Sequence, residues 1–285
     1  CMKTLRLLKY DINEGTLKYL FRYLFIVPFV LVSCIKFDAD NVFTYYMSGE
    51  RASAVEQMYN LFGGAFPFDY HADTSSVFSF PMNWIMVYVC LALLIGGHIK
   101  DSTEGFGLQL FVRSGNRIRW WIAKCIWAVF VTASYICFIF ITIMSYEWIR
   151  YGNVSFDKSY YLFPNAFGTQ LDELITYDRL LAMAFIMPFL VGVIQSLIQM
   201  ILSLYVDTGP ALSVVLAAVV LSVYYPGSWG FYGYAMNVRY GVAEGNSVHV
   251  QLSFDVGRWY LLIAVIVFFI AGAVFIRRKD VLKNE

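Results

Sequence analysis

Runs of about 20 predominantly apolar residues recur along this chain, and they limit its possible folds more than any other feature. The clearest lie at 121–146, 180–205 and 258–276. A helix of that length crosses a bilayer and satisfies its own backbone hydrogen bonds there. Only 14% of the residues are charged, whereas about a quarter are charged in a soluble domain. The sequence therefore predicts an all-α polytopic membrane protein.

Six transmembrane helices are predicted within a single transmembrane domain that covers residues 1–285. They lie at about 19–36, 80–99, 121–146, 180–205, 211–226 and 258–276. The fifth is short for a full crossing, because Pro226 follows its start after only about 15 residues. The aromatic and glycine-rich stretch "PGSWGFYGYAM" comes next. We expect it to form a re-entrant or interfacial segment before the last span, tolerable only if it is buried in protein or lines a cavity.

The N-terminal segment 2–18 has an amphipathic pattern. Leu5, Leu8 and Ile12 share one helical face, while Lys3, Arg6, Lys9 and Asp11 lie elsewhere. This pattern predicts an interfacial helix that lies on the membrane surface before the first span. A frayed terminus is the alternative reading.

The distribution of lysine and arginine predicts the orientation. Most of them lie in the N-terminal segment, the connection 99–124 and the C-terminal tail. Since positive charge is enriched in cytoplasmic connections, both termini are predicted to be cytoplasmic. The segments 37–79, 147–178 and 227–257 then lie on the outer side.

The connection after the second span carries the most informative motif. Asp101 and Glu104 have the spacing of a capping box, which marks the start of a helix. Phe106, Leu108 and Phe111 then form a short apolar face. A helix this short is not stable alone, so its apolar face needs either the membrane surface or another protein. We call residues 99–124 the elbow.

The elbow resembles the coupling helix of the permease subunits of type-2 ABC exporters, which have six spans per subunit. That family has an acidic residue and a glycine, then apolar residues, a polar turn with arginine, and a lysine at the start of the third span. The matching residues here are Asp101, Gly105, Leu108, Arg113, Ser114, Arg117 and Lys124. The tail "FIRRKDVL" at 275–282 is also similar to the family's exit from the sixth span.

The resemblance implies a division of labour between chains. No GxxxxGK[ST] phosphate loop occurs in this sequence, so it implies a separate ATP-binding-cassette ATPase subunit, in two copies, that holds ATP and Mg. The residues implied to couple to that subunit are Asp101, Glu104, Gly105, Phe106, Leu108, Phe111 and Arg113. A second permease chain, identical or homologous, would complete a pathway that exports an amphiphilic substrate, such as a peptide, antimicrobial, lipid or drug. The implied location is the cell membrane, specifically the cytoplasmic membrane of a bacterium.

Three polar residues interrupt the fourth span. Gln195 and Gln199 are four residues apart, with Ser196 beside them. Polar side chains within a span face the bundle or a cavity, because lipid cannot satisfy them. Two interpretations stay open: a stripe facing the pathway or a second permease chain, and hydrogen bonds between helices of one chain.

Other classes of function receive less support from the sequence. It contains neither GxSxG nor HExxH, and its three histidines are far apart. We expect no catalytic site, no metal site and no cofactor on this chain. Membrane lipid is an expected partner, and nucleic acid is not. The alternatives are a membrane-embedded enzyme or maturation factor with its site in the outer aromatic segments, and a secondary transporter. The former requires a catalytic cluster, and the latter internal repeats and ionisable residues in mid-span.

Overall fold

The computed structural model describes residues 8, 11–13, 16–65, 80–96, 98, 117–167, 175–225, 230–240 and 252–278. The regular structure in these ranges is entirely helical. The α-helices are α1 (Val27–Asp40), α2 (Val42–Ser48), α3 (Ala54–Leu61), α4 (Met82–Ile95), α5 (Arg117–Tyr151), α6 (Leu162–Phe167), α7 (Tyr177–Leu181), α8 (Met187–Ser203), α9 (Thr208–Tyr224) and α10 (Phe254–Arg278). The predicted all-α class is confirmed for this part of the chain.

Four helical stretches among these residues are long and apolar enough to cross a membrane. They are Leu20–Asp40, Arg117–Tyr151, Tyr177–Ser203 and Phe254–Arg278. The helices at the second and fifth predicted spans are shorter, with 14 residues in α4 and 17 in α9. At 1.5 Å per residue, 14 residues extend about 21 Å, less than the hydrocarbon core of about 30 Å. The chain is therefore a membrane protein, and its six spans stay a prediction.

Prolines mark two changes of helix type inside the long stretches. A 3₁₀ helix, Leu17–Ile26, leads into α1, and Pro28 lies in the first turn of that α-helix. In the same way, a π-helical turn, Ala182–Ile186, precedes α8, which has Pro188 in its first turn. Proline lacks an amide hydrogen and its ring crowds the carbonyl four residues earlier. Each helix accordingly departs from α geometry just before its proline.

Helix α8 lies at the centre of the bundle. It packs against α4, α5, α9 and α10, most extensively against α10. Two thirds of its apolar stretch is buried, whereas α10 is mostly exposed. Exposed apolar surface on α10, including Trp259, Ile263 and Ile266, is what contact with lipid requires.

The described parts of the three segments predicted to lie on the outer side, which we call the outer segments, pack together at one end of the bundle. The Ala54 amide donates to the Ser155 carbonyl at 2.9 Å, and the Asn237 amide donates to the Phe62 carbonyl at 2.9 Å. Residues 231–240, part of the predicted re-entrant segment, form two 3₁₀ turns whose side chains are largely buried. Irregular backbone at this end is thus covered by protein.

Candidate functional site

The predicted coupling residues of the elbow, Asp101, Glu104, Gly105, Phe106, Leu108, Phe111 and Arg113, lie outside the described residues. The structure does describe the residues at both ends of the elbow. His98 directly precedes it, and its last eight residues, 117–124, form the start of α5. The residues at these two ends form the candidate site.

A buried charged cluster joins the two ends of the elbow. It consists of Asp11, His98 and Lys124, which are 2%, 4% and 2% exposed. The Lys124 Nζ donates to Asp11 Oδ1 at 2.5 Å and lies 3.1 Å from His98 Nε2. His98 Nε2 is also 3.2 Å from Asp11 Oδ1. We call these three residues the base cluster.

The single nitrogen His98 Nε2 lies between a donor and an acceptor. When Nε2 is unprotonated it accepts a hydrogen bond from Lys124, and when it carries a proton it donates to Asp11. Both arrangements keep the Lys124–Asp11 pair. The imidazole thus forms a hydrogen bond within the cluster in either protonation state of Nε2.

Tryptophans from α5 shield the base cluster. The Trp127 and His98 rings are in contact, with their centroids 4.1 Å apart and their planes tilted by 33°, and the Lys124 Nζ lies 5.3 Å from the centre of the Trp120 ring. Positions 120, 124 and 127 share one helix face because they are three or four residues apart. Trp127 also donates from Nε1 to Thr16 Oγ1 at 3.1 Å. Excluding water strengthens the attraction between the charges and makes loss of either partner costly.

The N-terminal segment differs from the sequence prediction at one position. The pattern put Asp11 off the apolar face, yet its carboxylate is buried because Lys124 neutralises it there. Leu8 and Ile12 of the predicted apolar face are partly buried against the core of the bundle. The described part of this segment therefore packs against α5 and His98 rather than lying only on a surface.

Of the three residues of the base cluster, the sequence marked only Lys124 as requiring a partner. Lys124 lies in the apolar run that follows the polar turn of the predicted coupling motif. A cation in such a run requires a counter-charge. Its partner could not be identified, because Asp11 is 113 positions away in the chain. His98, which follows the second predicted span, is buried as well.

The structure places the polar residues of the fourth span inside the bundle. Gln195 and Gln199 donate from Nε2 to the carbonyls of Tyr88 and Ala92, each at 2.8 Å. Ser196 donates to the Gly192 carbonyl at 2.7 Å. The two glutamine bonds tie α8 to α4, which is the second of the two interpretations left open by the sequence, whereas the serine bond stays within α8. A role in the pathway or at a second permease chain stays a prediction.

At the opposite end of the bundle, Glu56 joins two of the outer segments. It forms a capping box with Ser53 at the start of α3, and its Oε1 accepts from the amide and hydroxyl of Ser159 at 2.8 and 2.6 Å. Burial raises the pKa of this carboxyl, and the hydrogen bonds from the two serines oppose the shift. Its role is structural.

No set of three metal-ligating side chains lies close enough to hold an ion among the residues that the structure describes.

Comparison with known protein families gives a match over most of the chain. A family model described as "Protein of unknown function (DUF2705)" matches residues 24–282. No curated protein and no solved structure matches the chain.

Proposed function

The chain belongs to the DUF2705 family, and we propose that it is the membrane-spanning permease subunit of an ATP-driven exporter. The observation that carries the proposal is the base cluster. It joins the two ends of the elbow to each other and to the N-terminal segment. A short connection whose two ends are fixed in this way transmits a displacement to both adjoining helices.

The proposed coupling works through the elbow as a docking segment. Phe106, Leu108 and Phe111 supply the apolar contact with a cleft on the ATPase, and the charges of Asp101, Glu104 and Arg113 set the register. ATP and Mg bind to the ATPase pair, whose closure moves the elbow. Because Lys124 and His98 contact each other, α4 and α5 then move together and change the bundle between two states.

Six crossings are part of this proposal. The bond from Ala54 to Ser155 requires the segments that follow α1 and α5 to lie on the same side. Since α5 crosses once between them, another crossing has to lie in 66–116, where α4 is the apolar helix described.

The same reasoning supports a crossing by α9. The bond from Asn237 to Phe62 requires residues 231–240 to share the side of residues 54–65. The stretch Tyr177–Ser203 crosses once in between, so a second crossing has to follow it. With cytoplasmic termini in a bacterial cell membrane, this shared side is the outer one.

Two permease chains, identical or homologous, complete the proposed pathway, and an amphiphilic substrate moves outward between them. The polar stripe of Gln195, Ser196 and Gln199 is proposed to face this pathway or the second chain in another state of the transport cycle. In the state described here, the two glutamines of the stripe bond to α4.

The test is co-purification of the full chain from its host, with bound proteins identified. We expect a P-loop ATPase to co-purify with the wild type and to be lost with Phe111→Asp. A matched control is Phe43→Asp, since Phe43 is 71% exposed at the opposite end of the bundle; this variant keeps the ATPase. Purification of the wild type without an ATPase, or an ATPase retained by Phe111→Asp, contradicts the proposal.

A further inference from the structure

A groove of about 790 Å³ opens between the ends of α1 and α5. It lies at the end of the bundle where the outer segments pack, away from the base cluster. Its lining includes Ile35, Asp38, Arg51, Tyr146, Arg150 and Tyr151. Opposite charges thus share one open groove at a surface of the membrane domain.

The negative charge in this groove belongs to Asp38, which is held in place by three donors. Its Oδ2 accepts from the hydroxyls of Tyr146 and Tyr151, each at 2.7 Å. Its Oδ1 accepts from Gln57 Nε2 at 2.9 Å. An ionised carboxylate has about four acceptor positions. These donors therefore leave one position on Oδ1, on a side chain that lines the groove.

The positive charges belong to two arginines next to the same tyrosine. The Arg51 guanidinium lies 4.8 Å from the centre of the Tyr151 ring and donates to the Asn153 carbonyl at 3.3 Å. Arg150 is exposed, precedes Tyr151 in the chain and lines the groove. Guanidinium groups bind phosphate by charge-assisted hydrogen bonds.

Apolar surface continues from the groove along the membrane-facing side of the bundle. Ile35 of α1 is 56% exposed, and Trp148 and Ile149 of α5 are 64% and 84% exposed. Exposed tryptophan at the end of a span is typical of the headgroup layer of a bilayer. The groove is therefore charged at its centre and apolar along its side, as a phospholipid is.

We propose that this groove binds a phospholipid whose headgroup carries both a phosphate and a primary ammonium group. The phosphate contacts Arg51 and Arg150, the ammonium donates to the remaining position on Asp38 Oδ1, and the acyl chains follow Ile35 along α1. A resident lipid at this position binds whether or not the chain is an exporter, so the inference does not rest on the proposed function.

The test is native mass spectrometry of the full chain in detergent, titrated with three lipids that have the same acyl chains. Phosphatidylethanolamine carries both groups, phosphatidylglycerol lacks the ammonium, and the ammonium of phosphatidylcholine cannot donate a hydrogen bond. One charge-assisted hydrogen bond corresponds to about tenfold in affinity. We expect phosphatidylethanolamine to bind about tenfold more tightly than the other two.

Variants separate the two halves of the headgroup. Asp38→Asn removes the preference for phosphatidylethanolamine, and Arg150→Gln weakens binding of all three lipids by about tenfold. Since Arg150 is exposed, its replacement leaves the fold intact, which thermal unfolding of the variant verifies. The matched control is Arg258→Gln, an exposed arginine at the start of α10 that does not line the groove; its binding stays at the wild-type level.

Four results overturn the inference. The first is equal binding of the three lipids, the second is wild-type binding by Arg150→Gln, and the third is an equal loss of binding in Arg258→Gln. The fourth is binding of soluble phosphoethanolamine as tight as that of the lipid, because acyl contacts would then contribute nothing.

Discussion

The amine of Lys124 is a charged group that is almost fully buried, because the residue is only 2% exposed and pairs with Asp11. Removing one partner of a buried ion pair leaves the other charge uncompensated and costs about 3–5 kcal/mol. We expect Lys124→Met to destabilise the protein by the lower end of that range, since protonated His98 can donate to Asp11 in place of the lysine. Thermal unfolding in detergent measures the effect.

The pair can be tested by replacing both charges. Asp11→Leu combined with Lys124→Met leaves no uncompensated charge, so the double variant recovers most of the lost stability. The control is the exposed pair of Asp255 and Arg258, 3.8 Å apart, whose disruption costs at most about 1 kcal/mol. Equal loss in the single and double variants would show that the side chains matter only for packing.

The buried carboxyl of Glu56, at the other end of the bundle, is expected to make the free energy of unfolding depend on pH. Burial raises the pKa of its carboxyl above the usual value, which is about 4.3. Between these two pKa values the folded state binds more protons than the unfolded state, so the free energy of unfolding falls as the pH rises through that window. Unfolding of the wild type and Glu56→Gln from pH 4 to 8 measures the difference.

We expect the wild type to lose stability relative to Glu56→Gln across this window. The exposed carboxylate of Asp255 provides the control, since Asp255→Asn changes no buried group. Parallel pH curves for the wild type and Glu56→Gln would contradict the prediction.

At the residue scale, sequence patterns identified polar groups but not their partners. Gln195 and Gln199 stood out because they interrupt an apolar run, and both do form the hydrogen bonds that such positions require. Asp11 did not stand out, because an acid in a charged N-terminal segment is ordinary. Only the fold brings it to Lys124.

At the element scale, the close packing of α10 on α5 depends on one glycine. A methyl group added at Gly272 would overlap the indole ring of Trp121, which is fully buried and donates from Nε1 to the Phe269 carbonyl. Overpacking of this kind costs about 1–3 kcal/mol. We expect Gly272→Ala to be destabilised by that amount in a thermal unfolding assay.

The matched control for this contact is Gly209 in the first turn of α9. A methyl group there meets no atom within 4 Å, so Gly209→Ala changes stability by no more than about 1 kcal/mol and in the favourable direction. Equal effects of the two substitutions would mean that the cost at Gly272 comes from the helix backbone rather than from Trp121.

Hydrophobic length predicted the elements well where the apolar run was long. The helices at the first, third, fourth and sixth predicted spans all reach a membrane-crossing length. The boundaries were less accurate, since α5 extends to Tyr151, beyond the predicted end at 146. Tyr146 and Tyr151 continue the helix because both donate to Asp38 of the neighbouring α1, a tertiary contact that hydropathy does not record.

At the scale of the whole molecule, the packing of the outer segments supports the proposed number of crossings. Arg239 donates from Nε to the Ala65 carbonyl and from Nη2 to the Ser222 and Val223 carbonyls. This one side chain therefore caps the C-terminal end of α9 and holds it beside residues 54–65. Burial lowers the pKa of its guanidinium to about 10, so it stays charged at neutral pH.

Single cysteines in a background free of the native ones test this arrangement. The positions are Met47→Cys, Tyr160→Cys, Val206→Cys and Val256→Cys, at side chains that are 74%, 76%, 45% and 62% exposed. With six spans, a membrane-impermeant maleimide labels positions 47, 160 and 256 in intact cells. Position 206 reacts only after the membrane is permeabilised.

The two short helices are tested separately by this pattern. If α4 did not cross, position 160 would lie on the side opposite to position 47, although Ala54 and Ser155 are hydrogen-bonded. If α4 crossed and α9 did not, position 256 would be protected together with position 206. Because Trp84 of α4 donates to the Ala235 carbonyl at 2.9 Å and Arg239 holds the end of α9, both failures would require breaking buried hydrogen bonds. We therefore expect labelling at both 160 and 256. Protection at 160 would show that α4 does not cross, and protection at 256 alone would show that α9 does not cross. Either result would contradict the six-span permease.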